Sequence, residues 1–231
     1  MNNERKKRIQ QRKEREKEQR RREIITTAMD FFISKGFNET TMGDIALKAS
    51  LSKGTLYNYF DSKDDLYLAV ATRATRRLND SYETTDLTSK SEFQCILSKG
   101  YTTYEFSKKY PKLYMIASEI RKEPVYLNMY KKVIERKPLN RNETEMNVEI
   151  QRYQQLVFKP IKEAINKKII RDDLDPRFLT FTLTSLTGGL IDILRNFHTL
   201  YESIGINIDD IFELVFEWVA EGIKPKRTEE K

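Results

Sequence analysis

Residues 40–65 constrain this chain more than any other stretch: Thr-Thr-Met-Gly-Asp-Ile-Ala-Leu-Lys-Ala-Ser-Leu-Ser-Lys-Gly-Thr-Leu-Tyr-Asn-Tyr-Phe-Asp-Ser-Lys-Asp-Asp. Two short helical patterns are separated by a turn at Ser50 and Leu51. Thr41, with Asp44 three residues on, opens the first as a capping box would, and Ile45, Ala46 and Ala49 form its inner side. Ser52 caps the second, which turns Leu56 and Phe60 inward. Ser62 and Asp65 start a further helix that runs to about Asn79. Upstream, Ile24, Ile25, Ala28, Phe31 and Phe32 fall at helical spacing, and Gly36 stands where a C-cap residue would. Helices joined by so short a turn must pack closely, and Ala46 is the small residue that permits it.

The rest of the chain reads as helix too. Gly (8) and Pro (6) are scarce among 231 residues, so strand-and-turn architectures are disfavoured, and no strand-like alternation or internal repeat is visible. Helical patterns cover 91–109, 111–121, 123–136, about 146–170, 176–203 and 208–222. Residues 80–90 and 137–144 read as loops, and Pro160 should kink or split the pattern it sits in. The expected fold is all-α. A charged N-terminal extension (1–21) precedes a three-helix helix-turn-helix domain (22–77), and a larger helical domain (78–225) follows.

The charge is unevenly placed. Residues 1–77 hold 18 Lys/Arg against 11 Asp/Glu, whereas residues 78–231 hold 24 of each, so the whole excess of +7 lies with the helix pair. That is the footprint of a protein with one end facing a polyanion. A recognition helix enters a major groove about 12 Å wide with its N-terminal residues leading. Here those residues are Ser52, Lys53, Gly54 and Thr55. Lys53 brings charge, Gly54 lets backbone approach a phosphate, and Thr55 offers a hydroxyl and a methyl to bases. Tyr57, Asn58 and Tyr59 follow, and Lys63 opens the next helix beside a possible flanking phosphate. The competing readings are packing within the domain for the two tyrosines and ordinary solvation for the two lysines. Residues 1–23, with 11 basic and 5 acidic side chains, are either a solvated helical extension or a basic arm reaching DNA.

Other classes find little support. One histidine and one cysteine leave no Cys-His pair and no metal-ligand spacing, and no Gly-rich phosphate loop follows a strand, so neither an enzyme nor a metal or cofactor protein is expected. Cys95, among Phe93, Ile96 and Leu97, reads as a buried structural thiol. No apolar run approaches the ~18 residues that span a bilayer. No signal peptide is visible, so a cytoplasmic location without membrane contact is expected.

The run Phe-Phe-(x)3-Gly-Phe-(x)2-Thr-Thr-Met-(x)2-Ile-Ala, followed by Ser-Lys-Gly-Thr-Leu-Tyr-Asn-Tyr-Phe-Asp-Ser-Lys-Asp-Asp-Leu, resembles the N-terminal domain of the TetR/AcrR family of bacterial transcriptional regulators, over about Arg22 to Arg73. The resemblance implies an all-helical homodimer that binds double-stranded DNA. Its phosphate and base contacts carry over to Thr41, Ser52, Lys53, Gly54, Thr55, Tyr57, Asn58, Tyr59 and Lys63. Ser50 departs from the glycine common in the family's turn. A positive φ there would cost roughly 1 kcal/mol relative to glycine.

In the second domain, 208–222 is apolar on more than one face, which asks for burial on two sides. The resemblance implies a four-helix dimer interface built from the last two long helices, with Thr187, Gly188, Leu194, Phe212, Val215 and Val219 as its candidates. The pattern alone would also permit a monomeric core. A two-fold dimer would address palindromic half-sites ~34–36 Å apart or a multiple of that. The resemblance further implies a cavity for a small, largely apolar effector. Tyr104, Tyr114, Met115, Glu119, Phe158 and His198 are candidates for its lining, with core packing as the alternative. The function expected is a ligand-responsive regulator, a repressor or, depending on where its site lies, an activator. A constitutive architectural DNA binder is the alternative.

Overall fold

The computed structural model describes residues 2–88 and 90–225, and these form twelve α-helices and no strand. They are α1 (Asn2–Glu39), α2 (Met42–Lys48), α3 (Lys53–Tyr57), α4 (Lys63–Thr84), α5 (Glu92–Lys109), α6 (Pro111–Glu119), α7 (Pro124–Ile134), α8 (Arg141–Tyr153), α9 (Lys159–Asn166), α10 (Pro176–Asn196), α11 (His198–Ser203) and α12 (Ile208–Ile223). The all-α expectation holds. From Asn2 the charged extension belongs to α1, which is interrupted at Gly36 (φ 77°, ψ 172°), the position read as a helix end. Pro160 splits its helix as expected. It lacks an N–H to return to the preceding turn, and a π turn over Gln154–Phe158 separates α8 from α9. The pattern read as one helix over 176–203 is broken at Phe197 (φ −108°, ψ 10°) into α10 and α11.

The chain forms two compact units whose membership differs from a boundary at residue 77. The first comprises residues up to Ala74 together with Met115–Asn147, and the second comprises Thr75–Tyr114 with residues from Val148 onward. The core of the first unit takes Ile24, Ile25, Ala28 and Phe32 from α1, Met42, Ile45 and Ala46 from α2, and Leu56 from α3. Phe60 and, from α4, Leu66, Tyr67 and Val70 complete it. Burial of each large apolar side chain contributes about 1.5–3 kcal/mol. Phe32 meets Tyr67 edge-on at 4.8 Å.

Polar groups explain why 137–144, read as an exposed loop, joins this unit. Asn140 caps α8 reciprocally with Glu143 (2.8 and 2.9 Å), so the helix begins where a loop was expected. Asn142 and Glu143 are buried. Asn142 accepts a short hydrogen bond from the buried Arg21 guanidinium and donates to the Asp65 carbonyl (3.3 Å). Asn140 donates to the Asp65 carboxylate (3.1 Å), and Arg141 holds Glu18 through two bonds of 2.7 and 2.8 Å.

In the second unit Tyr104 stacks on Phe212 at 3.9 Å, and Phe212 on Phe216 at 4.4 Å. Gly100 of α5 makes room for this stack, since a Cβ there would lie 2.1 Å from the Phe216 ring. Ile161, Ile165, Leu179, Ile191 and Leu194 fill the same core. Cys95 is half-buried rather than fully enclosed. No helix among the described residues is long and apolar enough to cross a membrane.

Candidate nucleic-acid interface

The geometry of residues 41–63 is set by local hydrogen bonds. Thr41 Oγ1 accepts from the Asp44 N–H (3.1 Å) and the Asp44 carboxylate accepts from the Thr41 N–H (3.4 Å), the reciprocal pair that fixes the start of α2. At its end, the Leu51 N–H bonds the Ala46 carbonyl (2.8 Å) and the Ser50 N–H bonds Leu47 (3.1 Å), with Ser50 between them at φ 56°. This is a left-handed helix stop of the Schellman kind. Ser50 is exposed and bears a Cβ in a conformation suited to glycine. Ser50→Gly should therefore raise stability by about 0.5–1 kcal/mol. An unchanged or lower denaturation midpoint would show that the turn carries no strain.

Ser52 Oγ accepts from the Thr55 N–H (3.0 Å) and shares a hydrogen bond with the Thr55 hydroxyl (2.8 Å). Leu56 is fully buried and anchors α3. With the inner side fixed, Lys53, Gly54, Tyr57 and Asn58 are left exposed. A Cβ on Gly54 would meet only Ser52 Oγ, at 3.8 Å, so the backbone there is open to a ligand. Lys53 lies across α2. A Cβ on Gly43 would fall 2.7 Å from its Cε, so the absence of a side chain at Gly43 provides the bed for the lysine stem. That role was not visible in the sequence, because it depends on a residue ten positions away.

Four of the candidate residues have intramolecular tasks. Thr41 and Ser52 are caps, and the Thr55 hydroxyl is engaged by Ser52, which leaves its methyl the freer group. Lys63 departs furthest from the solvated phosphate contact expected of it. Its ammonium donates to the carbonyls of Phe37 (2.8 Å) and Asn38 (3.3 Å) and sits 4.3 Å from the Phe37 ring centroid. It clamps the end of α1. Tyr59 is half-buried and Thr41 is exposed. Two exposed residues of α2, Leu47 (81% accessible) and Lys48, were not singled out from the sequence.

The candidate effector residues are not gathered in one place. Tyr104 and His198 line a cleft of about 720 Å³ in the second unit, with Lys108, Arg195, Glu202 and Asp209. Tyr104 donates to Asp209 (2.7 Å), and burial raises its pKa. Lys108 pairs with the same carboxylate at 3.0 Å, and the two bonds hold Asp209 below the ordinary carboxylate range. Tyr114 is buried beneath Arg195 and donates to the Gly188 carbonyl (3.4 Å). Phe158 is half-buried on the π turn, outside the lining of the cleft, and Met115 and Glu119 belong to the first unit.

The candidate dimer residues divide into two groups. Thr187, Leu194 and Phe212 are buried in the core of their own unit, while Gly188, Val215 and Val219 are half-buried. Both α10 and α12 are apolar on two sides; Thr187, Leu194 and Phe212 lie on the inner one, Gly188 lies two turns from Phe181 on the outer side of α10, and Val215 and Val219 lie at the border of the two on α12. The small residues do permit close approach, but to Tyr114. The exposed apolar face consists of Phe178, Phe181, Leu186 and Ile193 on α10 and Leu214 and Trp218 on α12.

Comparison with known proteins agrees with this geometry. The family described as bacterial regulatory proteins, tetR family, matches residues 24–70. The HTH-type transcriptional regulator YuxN of Bacillus subtilis is 45% identical over 47 residues, a stretch spanning 20% of this chain and only 16% of that relative. Among solved structures, a TetR family transcription regulator from Marinobacter aquaeolei superposes with a TM-score of 0.64 at 16% identity, over 92% of this chain and 98% of that one. The regulator FadR of Bacillus subtilis, in complex with stearoyl-CoA, gives 0.59 at 16% identity over 87% and 98%. The N-terminal helices match in sequence where the capped α2–α3 pair lies, residues 24–70 carry the domain of the tetR family of bacterial regulatory proteins, and the fold matches along most of the chain.

Proposed function

We propose that this protein is a dimeric DNA-binding transcriptional regulator, a repressor that leaves a palindromic operator when a small, largely apolar effector binds its second unit. The carrying observation is the capped α2–α3 pair, which locks its inner side and leaves Lys53, Gly54, Tyr57 and Asn58 outward on a short helix. Lys53 supplies a phosphate contact, its stem already immobilised over Gly43. The exposed apolar faces of α10 and α12 suit a second copy, because a soluble monomer rarely leaves so many large apolar groups in water.

The effector reading rests on the cleft beside Tyr104 and His198 and on the stearoyl-CoA bound by the FadR structure. Such a ligand releases DNA only by preferring the state that does not fit it; equal affinity for both states shifts nothing.

Selection of bound duplexes from a random pool, at fixed near-physiological salt, tests the reading. A palindromic consensus is expected, bound on the order of 10³-fold or more above random sequence. Lys53→Gln should weaken binding to all sequences and lower the salt slope by about one for each protomer, whereas replacing Thr55 should alter sequence preference. Tight, salt-sensitive binding with no consensus would replace this reading with that of an architectural DNA binder.

A further inference from the structure

The structure resolves the ambiguity of the N-terminal extension into two chemically different sides of one helix. At 3.6 residues per turn, Arg5, Arg8, Arg12, Arg15 and Arg22 of α1 fall within a band about 100° wide. All five are exposed. The band lies roughly opposite the side that carries Arg21, Ile24, Ile25, Ala28 and Phe32 into the core of the first unit. The four lysines of the extension, Lys6, Lys7, Lys13 and Lys17, fall outside it. Glu4, Glu16 and Glu18 border it. Among the described residues only Arg12 of the five is ion-paired, to Glu16 at 2.8 Å, while Glu23 is taken by Arg20. The helix is held from outside the band, where Glu18 binds Arg141 and Arg21 binds Asn142.

We propose that this arginine band is a second DNA-binding surface, which grips duplex phosphates outside the segment read by α3. The inference rests on the DNA-binding reading of α3 but assigns a different element. Three features favour a phosphate track over plain solvation. Arginine is segregated from lysine, and it is arginine that makes bidentate contacts with phosphate. The band spans about 26 Å from Arg5 to Arg22, some seven base-pair rises. The helix runs without a break from the band to Phe32 in the core of the unit that contains α2 and α3, so the band is placed by that core.

Two charge-matched variants of the full chain test this. One replaces Arg5, Arg8, Arg12 and Arg15 by Gln, and the other replaces Lys6, Lys7, Lys13 and Lys17 by Gln. Gln has nearly the helix propensity of the residues it replaces, and circular dichroism checks that helicity is kept. Affinity for a random-sequence duplex is measured from 50 to 200 mM salt. The arginine variant is expected to lose about 3.6 from the log–log salt slope of each protomer, so that the salt dependence of the wild type over this range exceeds that of the variant by about 100-fold for one bound protomer and about 10⁴-fold for a bound dimer. The lysine variant should lose much less, and the selected consensus should be unchanged in both.

Equal losses in the two variants would reduce the band to diffuse charge and overturn the proposal, as would an unchanged slope. Loss of binding to phosphatidylserine vesicles with an unchanged DNA slope would reassign the band to a membrane surface. A wild type that binds no duplex at all would remove the α3 reading and this one together. Specific binding with an unaltered slope in the arginine variant would remove this one alone.

Discussion

Phe181→Asp combined with Trp218→Asp should convert the protein from a dimer to a monomer of 27.4 kDa. The two side chains are 72% and 64% accessible in the single chain, yet each is large and apolar. On α10, Phe178, Phe181, Leu186 and Ile193 share one face, opposite the face that buries Thr180, Thr187, Ile191 and Leu194. On α12, Leu214 and Trp218 lie opposite Phe212, Phe216 and Ile223. Two helices, each sealed inward and apolar outward, are what a two-fold interface requires. By symmetry each substitution counts twice in a dimer. Losing an aromatic side chain forfeits about 2 kcal/mol of burial, and an uncompensated carboxylate in an apolar interface costs several more. The dimerisation constant should fall by at least about 10⁴, equivalent to roughly 5.5 kcal/mol.

Multi-angle light scattering provides the reading, and unchanged helicity would show that the fold persists. DNA affinity should fall with the dimer, since a monomer engages one half-site. A wild type that is already monomeric at micromolar concentration would end the dimer proposal, as would a double variant that remains dimeric.

The contrast between these two faces shows where sequence reasoning reaches its limit. Thr41 with Asp44 and Ser52 with Thr55 were legible because caps act within three residues, and the same holds for the interruption at Gly36 and the break around Pro160. On α12 the pattern says that two sides are apolar but not which one faces inward, and on α10 one apolar stripe does not separate the buried Leu194 from the exposed Phe178, Phe181 and Ile193. That depends on Tyr104, Tyr114 and the other groups packed against them. Lys63 read as a phosphate contact, with plain solvation as the alternative, because the carbonyls that hold it lie 25 and 26 residues away. Gly43 and Gly100 look ordinary until Lys53 and Phe216 are seen to occupy the space a Cβ would need. The stretch 137–144 was misread for a subtler reason. Asn140 and Glu143 form a local helix-start signal, but Pro138 and the polar composition suggested a loop, and the buried partner of Asn142 stands 121 residues away.

That partner makes Asn142→Ala a substitution of α8 with a large expected cost. Arg21 is 7% accessible, and burial is the main influence on its guanidinium, pulling its pKa down against the opposing charge of Glu145. The Glu145 carboxylate stands 3.7 Å off, and the guanidinium lies 5.3 Å from the Phe60 ring centroid. Asn142 is therefore the buried acceptor that satisfies one of its N–H groups, and its own amide satisfies the Asp65 carbonyl. Truncation strands a donor on a buried charge and a backbone acceptor at once. Leaving such groups without partners costs about 2–3 kcal/mol, or about 4–12 °C in midpoint for a chain of this size. The neighbouring Arg141→Ala removes two well-formed bonds to Glu18, but both side chains of that pair are about half exposed. Water replaces what is lost there, and a cost of about 0.5–1 kcal/mol is expected. Thermal denaturation of the two variants decides between geometry and burial as the source of stability. If Arg141→Ala proves the more damaging, the buried Arg21–Asn142 contact is not what binds residues 115–147 into the first unit.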